Sequence, residues 1–61
     1  MNKVKETRKA RGMTLQMVAD KAGTSKGHIH GIENGIEPKV LMALKIAKAL
    51  RVNINKLWSI E

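Results

Sequence analysis

Turn-forming residues interrupt this chain so often that only short helices fit between them. Gly12, Gly23-Thr24-Ser25, Asn34-Gly35 with Pro38 close behind, and Val52-Asn53 divide it into five segments. None of the five alternates in the manner of a strand. The reading is therefore an all-α fold of five short helices, forming one domain over residues 1–61. The core has to be aliphatic, because Trp58 is the only aromatic residue and there are no cysteines to supply disulfides or a Cys-based zinc site. A chain this short buries only about 60% of the surface it exposes when unfolded, so every apolar stripe matters.

The stripes can be read segment by segment. Segment one, Asn2 to Arg11, is strongly basic and stops at Gly12. Segment two opens on Thr14 as N-cap and carries Leu15, Val18, Ala19 and Ala22 at helical spacing. Segment three runs from Lys26 to Asn34, turns Ile29 and Ile32 inward, and ends at Asn34-Gly35, a pair suited to a left-handed cap. Segment four places Pro38 in its first turn and repeats Val40, Leu41, Ala43, Leu44, Ala47 and Leu50 as its apolar face. Segment five starts at Asn53 and presents Ile54, Leu57 and Trp58.

Charge bears on the class of partner. Twelve Lys and Arg against five Asp and Glu give a net charge of +7, distributed as +4 over residues 1–12, −1 over 13–38 and +4 over 39–61. Such a balance favours a polyanion, with the electrostatic grip supplied by the flanking segments. No secretory leader and no apolar run near the ~20 residues needed to cross a bilayer is visible, so a cytoplasmic location without membrane partner is expected. Catalysis has nothing to stand on: no Ser-His-Asp set, phosphate-cradling glycine loop or carboxylate pair in helical register is present. His28 and His30 point about 200° apart on a helix and cannot share a metal. No enzyme activity, cofactor, metal or small-molecule ligand is expected.

The informative spacing lies in residues 15–34. Ala19 precedes Gly23 by four positions, and Ile29 follows it by six. Two helices crossing at roughly 90–120° through a tight turn need a small side chain where they touch and a residue tolerant of positive φ at the turn. Ala19 and Gly23 meet those needs, and Val18, Ala22, Ile29 and Ile32 then seat the pair on the other helices. That pattern in a basic helical chain signals a helix-turn-helix.

The sequence resembles the lambdoid phage repressor and Cro-like (XRE) family of DNA-binding domains over Val4 to Trp58. The resemblance rests on Arg8-Lys9-Ala10-Arg11-Gly12-Met13-Thr14, Val18-Ala19-Asp20-Lys21-Ala22-Gly23, Ile29-His30-Gly31-Ile32-Glu33-Asn34-Gly35 and Leu44-Lys45-Ile46-Ala47-Lys48-Ala49-Leu50. It implies a lambda-repressor-like domain that binds double-stranded operator DNA as a homodimer, with segment three as the recognition helix in the major groove. At 100° per residue, the side opposite Ile29 and Ile32 holds Lys26, Gly27, His30, Gly31 and Asn34, with His28 on the flank. Lys26 matches a base-reading position and suits guanine O6 and N7. Gly27 and Gly31 permit close approach, Asn34 matches a phosphate contact, and Thr14, Gln16, Ser25 and Lys39 complete the expected phosphate set. Either histidine, once protonated, would strengthen a phosphate contact.

Three departures from the family pattern stand out. Leu15 replaces the glutamine that commonly opens the second helix, with Gln16 one position late. Ile36 and Glu37 occupy a loop that is usually basic. Arg51 replaces a glycine, at a cost of about 1 kcal/mol if it must adopt positive φ.

Arg8 and Glu33 match a structural ion pair in the family, joining the first helix to the end of the third. Ile54, Leu57, Trp58 and Ile60 are the expected dimer patch, the first two mostly inward and the last two partly at the interface. Lys45, Lys48 and Lys56 read as solvated surface, and Met13, Met17 and Met42 as packing residues. With no room for a sensing or cleavage domain, occupancy of DNA sites and hence repression is the expected mode, in a bacterial or phage-infected cell and on its nucleoid. That mode resembles a phage Cro protein, and a compact regulator from a plasmid, a conjugative element or a restriction-modification system fits nearly as well. The alternative is a small interaction protein of the same fold, an antitoxin or an antagonist of a related regulator, favoured by the glycines on the recognition face, the Leu15 replacement and the −1 charge of the motif.

Overall fold

The computed structural model describes residues 2–59. Among them the chain forms α1 (Val4–Ala10), α2 (Leu15–Ala22), α3 (Lys26–Glu33), α4 (Val40–Leu50) and a single 3-10 turn at Ile54–Lys56. The described residues contain no strand. No helix among them is long and apolar enough to cross a membrane.

Helix ends follow one rule. A Schellman turn closes each of these four helices, with a residue of positive φ one or two positions beyond the helix end and two backbone N–H groups folding back on free carbonyls. Gly12 and Met13 donate to Lys9 and Arg8 in this way, Gly23 and Thr24 to Asp20 and Ala19, and Gly35 and Ile36 to Ile32 and Gly31. Arg51 and Val52 do the same for Lys48 and Ala47. Gly12, Gly23 and Gly35 take positive φ freely, but Arg51 (φ 57°) is the only non-glycine residue among those described that does so.

The helix starts are less uniform. Thr14 and Ser25 accept the N–H groups of Met17 and His28 and cap α2 and α3. The residues preceding α1 and α4, Lys3 and Lys39, make no side-chain cap bond of their own. Pro38 was expected in the first turn of α4, yet the helix begins two residues later. Lys39 is extended (ψ 158°), and Glu37 is disfavoured from helical geometry by the proline that follows it.

The core comprises Val4, Val18, Ala19, Ala22, Ile29, Ile32, Ile46, Ala47, Leu50 and Leu57, with Met13, Leu15, Met42, Val52, Ile54 and Trp58 packed around it. In α4 the buried stripe is Ala43, Ile46, Ala47 and Leu50. Val40, Leu41 and Leu44, expected on the apolar face, are 76%, 64% and 48% exposed, because α4 carries two apolar stripes and only one can face α2.

The fifth segment also differs from expectation, forming one 3-10 turn in place of a helix. Asn53 accepts the Asn55 N–H with its own side chain, an Asx turn that competes with helical propagation. Leu57 then fills the core, and its carbonyl accepts the Lys3 N–H at 3.0 Å, fastening the two ends of the fold together.

Candidate nucleic-acid interface

The turn between α2 and α3 is built as the spacing predicts. Ala19 is fully buried at the crossing, Gly23 is left-handed (φ 74°, ψ 37°), and the Thr24 N–H reaches the Ala19 carbonyl at 2.9 Å. Ile29 and Ile32 are completely buried. The opposite side of α3 is therefore fixed outward, and Lys26, Gly27, His28, His30 and Asn34 are all exposed there.

Local hydrogen bonds orient several of these groups. The Thr24 hydroxyl and His28 Nδ1 lie 2.8 Å apart, which draws the imidazole back toward the turn. Asn34 donates from Nδ2 to the His30 carbonyl at 2.9 Å and lies 3.3 Å from His30 Nε2, so these two side chains act as one polar unit at the end of α3. On α2, Gln16 donates to Asp20 at 2.8 Å, and the Thr14 and Ser25 hydroxyl oxygens are engaged as caps. Lys26 has no such restraint among the hydrogen bonds of the described residues and is free to extend. Lys39 stands apart from this group, at the entrance to α4 beyond the Ile36–Pro38 loop.

A buried charge pair sets the position of α3. Arg8 Nε donates to Glu33 Oε2 at 2.7 Å, Nη2 reaches Oε1 at 3.4 Å, and Nη1 donates to the Met13 carbonyl at 2.9 Å. The two side chains are only 11% and 2% exposed. A forked guanidinium suits this arrangement, since it satisfies both carboxylate oxygens and the backbone turn after α1 at once. Asn2 adds a second tie that sequence reasoning missed: its amide donates to the Ile32 carbonyl at 2.8 Å and its Oδ1 accepts the Val4 N–H at 3.0 Å. An asparagine two positions before the first helical residue is the available signal for such a capping role.

A helix-turn-helix family model matches residues 4–57, almost the whole described fold. The chain belongs to the helix-turn-helix family. Membership is of the Cro/XRE type, whose domains bind DNA and are not enzymes, and it makes this protein a DNA-binding regulator of that type. No curated protein matches the sequence. Within this helix-turn-helix domain, α2 is the supporting helix and α3 the one presented outward.

The residues expected at a dimer face are divided by the structure. Leu57 is 1% exposed and belongs to the core, so it offers nothing to a partner. Its burial follows from the 3-10 turn, which points it beneath α4. Ile54 and Trp58 are half-buried and line a shallow groove together with Pro38, Val40 and Ala43. Ile60 lies outside the described residues.

Proposed function

We propose that this helix-turn-helix protein binds double-stranded operator DNA as a homodimer and represses transcription by occupying its site. The observation that carries the reading is the outward face of α3, polar and exposed while its inner face is wholly buried. In this reading α3 enters the major groove, Lys26 reads a guanine edge, and the His30–Asn34 unit meets a base edge or phosphate further along the helix. Gly27, with open space beside it, lets the helix backbone approach the bases, whereas Gly31, expected to do the same, is covered by the Ile36 side chain. Thr14, Gln16, Ser25, His28 and Lys39 hold phosphates, with backbone N–H groups at the helix starts assisting.

The second copy completes a two-fold operator. Ile54 and Trp58 supply its contact together with Val40 and Pro38, which share their groove. The same exposed apolar surface supports the second reading, an interaction protein whose partner is another protein.

Selection from random duplex DNA at physiological salt tests both. An enriched two-fold motif with half-sites one helical turn apart, bound roughly 10³-fold tighter than scrambled DNA, is the expected outcome. Affinity should fall by roughly 0.9 log units per contacted phosphate for each decade of salt. Weak binding with no enriched sequence would overturn the operator reading and favour a protein partner.

A further inference from the structure

Ile36 is the third residue beyond α3 and closes its Schellman turn, donating its N–H to the Gly31 carbonyl at 3.0 Å while Gly35 (φ 112°) donates to Ile32 at 3.1 Å. In this motif the residue making the longer-span bond commonly packs its side chain on the residue whose carbonyl it uses. Here that residue is a glycine. A β-carbon added at Gly31 would stand 2.9 Å from Ile36 Cδ1 and 3.8 Å from Cγ1. The isoleucine thus occupies the space that a side chain at position 31 would take. Gly27, one turn earlier on the same face, has nothing within 4 Å of such an atom.

The placement gives Ile36 a chemical character that α3 itself lacks. By the 100° rotation per residue, position 31 belongs to the outward side of α3 with Gly27, His30 and Asn34. Ile36 covers it yet stays 61% exposed, so it is a large aliphatic group laid on a polar recognition surface. In the major groove, the one base feature that an aliphatic side chain can distinguish is the C5-methyl of thymine.

The geometry points to Ile36 as a specificity-determining residue, supplied to the recognition face from the loop after α3 and contacting a thymine methyl in each half-site. The inference rests on the operator-binding reading. If the contact serves only the turn, changes at Ile36 leave base preference untouched.

The test uses the full chain and the operator obtained by selection, with each thymine of one half-site replaced in turn by uracil, which lacks only the methyl. For the native protein, one such replacement should weaken binding about three- to fivefold, the effect of uncovering roughly one methyl group. Ile36→Ala should bind the thymine and uracil forms of that position equally, while keeping its sensitivity elsewhere. Gly31→Ala provides an independent variant: its new methyl displaces the end of the Ile36 side chain without touching the core, and the same loss of methyl sensitivity is expected with helicity retained by circular dichroism. An Ile36→Ala variant that responds to uracil as the native protein does at every thymine overturns the assignment and leaves operator binding intact. A native protein that selects no motif overturns both.

Discussion

Arg51 holds the most strained backbone among the described residues, and relieving it should stabilise the protein by a predictable amount. It sits at φ 57°, ψ 42° just beyond α4, where the first three helices have Gly12, Gly23 and Gly35. An L-residue in the left-handed region costs roughly 1–2 kcal/mol because its β-carbon crowds the following carbonyl. Glycine removes that crowding but loosens the unfolded chain, which returns about 0.4–1 kcal/mol. Both bonds of the Schellman turn are backbone bonds, at 3.1 Å each, and the contact from Arg11 Nη2 also ends on the Arg51 carbonyl, so all survive Arg51→Gly. The net gain should be about 0.5–1 kcal/mol. For a domain of this size each 1 kcal/mol moves Tm by roughly 4–8 °C, so the Tm followed by circular dichroism should rise by roughly 2–8 °C. Arg51→Ala separates the causes, since it deletes the charged side chain yet keeps the β-carbon, and it should gain much less than Arg51→Gly. Equal gains in the two variants, or a Tm at or below the native value for Arg51→Gly, would refute the strain argument.

Three further outcomes follow from the same geometry. Arg8→Ala strands the Glu33 carboxylate, 2% exposed, at a cost of about 3–5 kcal/mol; against a total stability of roughly 3–9 kcal/mol for a chain this long, urea titration should find the variant barely folded, and Arg8→Met with Glu33→Leu should recover most of the loss. Lys26→Ala should relax base preference at one position per half-site in a repeated selection, whereas a uniform loss across all sequences would reassign Lys26 to a phosphate. Gly27→Ala has open space for its methyl and should raise stability by up to about 1 kcal/mol while weakening operator binding; unchanged affinity would mean that the backbone of α3 does not seat against the bases.

What could be read from the sequence, and what could not, divides along the range of the interactions involved. The helix-turn-helix is a local device, specified by a small residue at 19, a glycine at 23 and isoleucines at 29 and 32, and each of these does in the structure what its type and spacing imply. The caps at Thr14 and Ser25 are equally local. Periodicity failed in α4, since nine of the eleven residues from Val40 to Leu50 are apolar and a helix so uniform carries no preferred face. The choice of Ala43, Ile46, Ala47 and Leu50 over Val40, Leu41 and Leu44 was made by packing on α2. The fifth segment failed for a related reason: the spacing of Ile54, Leu57 and Trp58 is compatible with a helix, but Asn53 bonds to Asn55 and the chain end is fastened to Lys3 before a helix can grow. At the candidate interface, the outward position of Lys26, His30 and Asn34 followed from the helical repeat alone, while the bond from Thr24 to His28 and the seat of Ile36 on Gly31 depend on how the chain turns at each end of α3. An apolar residue directly after Asn34-Gly35 is nonetheless a legible signal, because the Schellman turn directs that side chain onto the helix it has just closed. The glycine at 31 converts this ordinary capping contact into an aliphatic group held on the face proposed to meet DNA.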